Sequence, residues 1–532
     1  MIRRTLLQAS LSIALSATAL TLLPAQAAHA EDLRIGLAAD VTSMDPHWNN
    51  SGPNNAIALH IFESLVFMDK NARYIPGLAL SWKPLNAITW EIKLRPNVKW
   101  HDGSPFTSED VKASLERPEK LTNAPGSFTS YTKPIARIDT PDPLTVRLTM
   151  SVPNYANLAN DLNSVPIMPK KIAANLTQAD FDSGKAMIGT GPFKFVRFAR
   201  GQEIVMAKNP DYWGPKPEWD RAIFRILTDN GARSAALLAG DVDVIDKVAV
   251  TDVEKLRKNP AFSVYTYPGL RVLLVQPSFR AGPNEFITDN AGKPLAQNPL
   301  LDVRVRQALS LAINRKAIAD RILQGTVTVA NQWMPKGSFG FNPDIPEIAN
   351  DPEQAKKLLA AAGFPQGFQI SIHVPGDRYP QGPETAQAVA QFWSRIGVKT
   401  KVEVVPWSVY AGKANKNEYA VSVLAWGNGT GEASYGLLNA FASVDAKRGR
   451  GASNWGRYSN ESVDKSLDAA TVEFDARRRE AILRHSAKLV TDDVGAIPLF
   501  HYQNIWAAKK GLKVVPLLSD RTTAMQVSRV GK

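Results

Sequence analysis

Leu33, Ile35 and Leu37 alternate with Arg34 and Gly36, the period-two pattern of a half-buried strand. The polar stretch 42–50 predicts a loop, and the apolar run 57–67 predicts a helix. Alternation returns at 89–94, where Trp90, Ile92 and Leu94 share a face. It returns again at Leu144, Val146 and Leu148, behind the turn residues Pro141, Asp142 and Pro143. Farther along, the period lengthens. Val305, Ala308, Leu309, Ala312 and Ile313 recur at the spacing of one buried helical stripe. Asp351, Pro352 and Gln354 read as an N-cap, an N1 proline and a capping partner. Leu358, Leu359 and Ala362 continue that helix, and Gly363 stops it. Val389, Phe392, Trp393 and Ile396 mark another helix ended by Gly397, after which Val398, Thr400, Val402 and Val404 alternate as a strand. Residues 235–244 repeat the order helix, glycine, strand. The pattern predicts α/β lobes with mixed sheets. No internal repeat, low-complexity tract or Gly/Ser-rich linker interrupts it, so the connections between lobes are expected to run within the fold.

At 532 residues the chain is too long for one ordinary core, and two or three lobes are expected. The first thirty residues stand apart. Arg3 and Arg4 precede a short apolar stretch at 11–23, Pro24 breaks it, and Ala28-His29-Ala30 fits a cleavage site before Glu31. This is the layout of a secretory signal peptide, by Sec or twin-arginine export. There are no cysteines, which excludes disulfides, a cysteine nucleophile and a lipid-modified cysteine, so a free periplasmic protein is expected. The formal charge is +13, with positive residues dispersed along the chain. The densest run, Arg477 to Arg479, is flanked by Glu473, Asp475 and Glu480 and reads as a solvated helix face. No nucleic-acid partner is expected.

Enzyme signatures are sparse. There is no P-loop, no HExxH and no Gly-x-Ser-x-Gly elbow. The run Gly427 to Gly431 has its third glycine misplaced for a dinucleotide fingerprint and reads as a loop whose backbone approaches a ligand. Outside the signal, His47, His60, His101, His373, His485 and His501 show no metal-ligand spacing. No catalytic residue, metal or cofactor is therefore assigned. His101-Asp102-Gly103 reads as a turn, with a helix N-cap at Thr107 or Ser108 beyond it.

The segment WEIKLRPNVKWHDGSPFTSEDV, from Trp90 to Val111, resembles the signature of the peptide- and nickel-type periplasmic solute-binding proteins of ABC importers, family 5. Further matches run from Ser43-Met44-Asp45-Pro46 through Gly189-Thr190-Gly191-Pro192-Phe193 and Asn209-Pro210-Asp211-Tyr212-Trp213-Gly214. They continue at Gly240-Asp241-Val242-Asp243 and at Val303 to Ala308. The resemblance implies an α/β, two-lobed periplasmic binding protein fold with an extra domain inserted in the first lobe. It places lobe I in 31–62, 189–272 and 498–532, the extra domain in 63–188 and lobe II in 273–497. It implies a hinged trap, most simply a monomer, that captures peptides or peptide-like molecules and hands them to permease and ATPase subunits. A non-peptide ligand such as an opine, a sugar derivative or a metal chelate is the alternative, with a periplasmic hydrolase behind it.

The resemblance also implies site residues. Arg378 and Tyr379 match the family's Arg-Pro-Tyr segment, and Arg378 is the expected carboxylate anchor, since a guanidinium binds a carboxylate with two parallel hydrogen bonds. Relatives place an Asp for the α-amine shortly after a Trp. Here Trp426 is followed by Gly427, Asn428, Gly429, Thr430, Gly431 and Glu432, so the nearest acid is Glu432. Trp48, Trp407, Tyr410, Trp426 and Tyr435 are candidates for an apolar wall. Asn49, Asn50, Asn428 and Thr430 are candidates for polar contacts that orient the ligand.

Overall fold

The computed structural model describes residues 31–531 apart from 72, 123, 125, 126, 175, 377, 429, 446, 447 and 449. The expected signal segment and Gly429 lie outside the described residues. Two long antiparallel strands, Phe262–Pro277 and Ile497–Lys509, form the spine of a twelve-stranded mixed sheet. On one half of the spine, Val244–Ile245 joins Asp32–Leu37, which runs parallel to both Val244–Ile245 and Arg221–Ile226. On the other half, Val421–Gly427 pairs with residues 271–277 and runs parallel to Gln369–Pro375, itself parallel to Lys399–Val405. These halves are the two lobes. Between Asp32–Leu37 and Phe193–Ala199 of the first lobe sits an inserted body with its own four-stranded antiparallel sheet, Ala79–Pro84, Thr89–Leu94, Thr145–Met150 and Ile135–Asp142 in spatial order.

Each body has its own core. Leu33, Ile35, Phe193, Phe224 and Trp506 bury lobe I, whereas Trp90, Ile92, Val146 and Leu148 bury the inserted sheet. The lobe II sheet is covered on both faces. Leu273, Val389 and Trp393 lie in one cluster, and Val272, Trp333 and Phe441 lie in the other. Its helices follow their sequence signals. Asp302 caps Val303–Ala312 by accepting from Arg304 N, and Asp351 caps Pro352–Ala361 by accepting from Gln354 N. Gly363 and Gly397 take positive φ just past their helices.

The spine is irregular at two places: Leu499 is skipped between Leu273 and Leu274, and a larger mismatch precedes it. Pro268 faces Gln503 and Val272 faces His501, so Gly269, Leu270 and Arg271 are opposed by Tyr502 alone. This is a bulge, which bends its strand and raises the local twist. A Cβ at Gly269 would stand 2.6 Å from Tyr502 O and 2.8 Å from Asn504 Oδ1, so only glycine fits.

Three expectations are corrected. The run 57–67 is not one helix: Gly52–Ala58 is helical, and Val66–Met68 is a strand. Its carbonyls at His60 and Ile61 accept instead from Phe193 N and Gly191 N, both at 2.9 Å, so the helical ladder cannot continue. Leu144 lies exposed before Thr145–Met150, whose buried face is Val146, Leu148 and Met150. The run Arg477 to Arg479 is not uniformly solvated. Arg478 pairs with Glu473 at the surface, whereas Arg479 is buried.

Candidate functional site

Parallel strands present their carboxyl ends to the crevice where α/β proteins bind ligands. In lobe II the segments leaving those ends carry Arg378 and Tyr379 after Gln369–Pro375, Trp407 after Lys399–Val405, and Trp426 to Glu432 at the end of Val421–Gly427. In lobe I the segment after Asp32–Leu37 carries Trp48, Asn49 and Asn50.

The Arg378 side chain is exposed, and its guanidinium carbon lies 4.9 Å from the Trp407 ring centre, a cation–π arrangement. The buried Tyr379 ring meets Trp407 edge-on at 6.2 Å. Burial raises the pKa of the Tyr379 phenol, while Arg378 and Arg271 act in the opposite sense. Arg271, on the bulge, packs where Gly427 leaves room: a Cβ there would be 2.9 Å from its Nη2. Tyr502 closes this group by donating its hydroxyl to Pro380 O at 3.2 Å.

A second group straddles the seam between the inserted domain and lobe II. Tyr74 OH donates to Thr430 O at 2.9 Å. Asn50 Nδ2 donates to Tyr131 OH at 3.1 Å, and its Oδ1 accepts from Asn55 Nδ2 at 2.8 Å. Burial and the neighbouring Tyr131 raise the pKa of the Tyr435 phenol, and the Tyr435 ring lies 6.2 Å from Trp426. Trp426 in turn tilts against Trp333 at 5.9 Å, and both indole N–H groups are buried without a hydrogen-bond partner among the described residues. Asn50, Thr430 and Trp426 are thus brought to one seam. Asn49 is turned onto its own loop, donating to Thr42 Oγ1 at 2.9 Å, and Trp48 stays half-buried on the same loop.

Glu432 and Asn428 need correction as ligand contacts. Glu432 is buried in an ion pair with Arg479 at 2.5 Å and also accepts from Ser434 Oγ, so its charge is already neutralised. Asn428 Nδ2 donates to Glu432 O at 2.6 Å, and its Oδ1 accepts from Thr430 N at 3.0 Å and from Thr430 Oγ1 at 2.8 Å. Both side chains shape the loop. Tyr410 is core, donating its hydroxyl to Val423 O at 2.7 Å.

The model of the bacterial extracellular solute-binding proteins, family 5 Middle, matches residues 73–448. The chain belongs to this family.

Among curated proteins, this solute-binding protein is 26% identical to the dipeptide-binding protein of Escherichia coli over 492 residues, 87% of this chain and 88% of that one. It is 27% identical to heme-binding protein A of Haemophilus influenzae over 473 residues, covering 84% and 82%. Among solved structures it is similar to HbpA2 from Haemophilus parasuis, with a TM-score of 0.80 and 26% identity over 94% of this chain and 99% of that one. Its place is the solute-binding component of an ABC transporter. No helix among the described residues is long and apolar enough to cross a membrane. Nor does any group of three His, Asp or Glu side chains among them stand ready to hold a metal ion.

Sequence reasoning missed Tyr74, Tyr131 and Arg271. Arg271 carried a signal, a lone cation in the apolar stretch 270–275. Tyr74 and Tyr131 become site residues only because the inserted domain packs against lobe II.

Proposed function

We propose that this solute-binding protein captures a peptide or peptide-like small molecule between its lobes, in the periplasm, and delivers it to an ABC permease. The protein is exported by cleavage of residues 1–30, carries no lipid anchor, acts as a monomer and catalyses no reaction. Lobe I comprises 31–62, 189–272 and 498–532, the inserted domain 63–188 and lobe II 273–497. The lobes swing about the bulge at Gly269 to Arg271 opposite Tyr502. The observation that carries the reading is Arg378: exposed at the carboxyl end of a parallel strand, stacked on Trp407, and without a carboxylate partner among the described residues. Such a guanidinium offers a fork of donors to a ligand carboxylate, and Trp407 fixes its plane. The dipeptide-binding relative supports a peptide-like ligand, and the heme-binding relative supports breadth in what the cleft accepts.

The test is thermal unfolding of refolded, solute-free protein against di- to pentapeptides, their C-terminal amides, opines, sugars and nickel chelates. Ligand at about 100 times its dissociation constant adds about 2.7 kcal/mol to the folded state. Stabilisation by free peptides, lost with the amides and in Arg378→Ala, supports the reading. Stabilisation by a neutral sugar alone, unaffected by Arg378→Ala, overturns the carboxylate anchor.

A further inference from the structure

The charges near the candidate site are unbalanced. The acids there are already committed: Glu432 to Arg479, Glu480 to Arg73 at 3.2 Å, and Asp161 to Tyr155 OH at 2.6 Å and Asn160 Nδ2 at 3.0 Å. Three of the cations are not. Among the described residues, Arg378, Arg271 and Arg521 have no carboxylate within ion-pair distance.

Arg521 is the most telling of the three. The segment that carries it is pinned on both sides. Asn504 Nδ2 donates to Leu517 O and Leu518 O, both at 3.0 Å, and Leu518 N donates to Lys70 O at 2.9 Å. Beyond it, Thr522 Oγ1 accepts from Trp506 Nε1 at 2.9 Å and donates to Asp246 Oδ2 at 3.2 Å. The Arg521 side chain is half-buried, donates no hydrogen bond to another described residue, and lies within electrostatic reach of Tyr74 and Tyr131, the phenols of the seam. Burial lowers its pKa. Asp520, the acid it feels, is exposed and lies 3.5 Å from Lys247. A backbone held this firmly with a half-buried guanidinium left without a carboxylate is arranged for an incoming anion, since a desolvated charge without a partner is costly.

We infer that the captured solute carries at least two negative groups, one held by Arg378 at the lobe II side and a second by Arg521 at the lobe I side. It needs no free ammonium. The inference rests on the reading of the interlobe cleft as the solute site. It replaces the amine pocket of peptide binders with a second anion pocket, and it defines the ligand class as dicarboxylates such as N-succinylated or N-carboxyalkylated amino acids and peptides.

The test is calorimetric titration of refolded protein with trialanine, N-acetyl-trialanine and N-succinyl-trialanine, which present an ammonium, a neutral cap and a carboxylate at the same end. The expected result is at least tenfold tighter binding of the succinyl compound than of the other two. Arg521→Gln should reduce its affinity to that of the acetyl compound while leaving the acetyl affinity unchanged. Equal affinity for the acetyl and succinyl compounds, tightest binding of trialanine, or a succinyl preference that survives Arg521→Gln would overturn the inference and leave the cleft reading standing. Absence of binding by all three, with unfolding transitions of normal cooperativity, would count against the peptide-like cleft itself.

Discussion

Arg479 and Glu432 decide what the loop after Trp426 can do. Both side chains are almost fully buried, at 8% and 9% exposure, and Arg479 also reaches Ser434 Oγ and Asn157 Oδ1. Removing one partner of such a pair leaves the other charge uncompensated, at about 3–5 kcal/mol. Glu432→Gln is therefore expected to lower the free energy of urea unfolding by about that amount and to leave solute affinity nearly unchanged. An affinity loss without a stability loss would restore Glu432 as a ligand contact. Tyr74→Phe removes a hydroxyl that lies 2.9 Å from Thr430 O and 3.2 Å from Asn160 Oδ1, and should cost about 1 kcal/mol in the same assay. At this scale the sequence is least legible. Arg378 could be singled out as a candidate because its motif is local. That Glu432 is claimed by Arg479, from a helix far along the chain, could not.

The helices and the inserted strands were legible because their signals are local. The N-caps Asp302 and Asp351, the stops at Gly363 and Gly397, and the alternation at Trp90, Ile92 and Leu94 each act within a few residues. The run 57–67 failed for the opposite reason, since its carbonyls are taken by Gly191 and Phe193 from a distant segment. The same packing makes Gly189 indispensable: a Cβ there would fall 1.7 Å from Ile61 O. The bulge was equally hidden, because it is a mismatch between two strands and neither strand alone contains it. Gly269→Val forces a side chain against Tyr502 O, so overpacking of about 1–3 kcal/mol is expected. Thermal unfolding of the variant should show it as a lower midpoint with an unchanged far-ultraviolet circular dichroism spectrum at 25 °C.

Across the whole molecule, buried histidines set the response to acid. Burial holds His47, His60, His101, His373 and His501 down at about 4, against an ordinary value of 6.5. Between those values the unfolded chain takes up protons that the folded chain excludes, so folding stability falls as pH drops from about 6.5 towards 4. Glu63 and Asp161, raised by burial to about 7, act oppositely: the folded chain keeps their protons in that range, which favours folding at lower pH. Burial raises the Asp246 carboxyl in the same sense. Five histidines against three carboxyls still give a net loss, and the melting temperature is expected to be lower at pH 5 than at pH 7. A melting temperature that rises on acidification would contradict the burial of these histidines.

The two lobes are joined by two continuous strands with two bulges, and the proposed function has them close on a solute held by Arg378. The most direct test is small-angle X-ray scattering of the refolded protein, alone and with the solute that stabilises it most. The account predicts a smaller radius of gyration with solute, reversed on its removal, and no such change in Arg378→Ala at the same solute concentration. An unchanged radius under saturating solute, or compaction that is undiminished in Arg378→Ala, would contradict it.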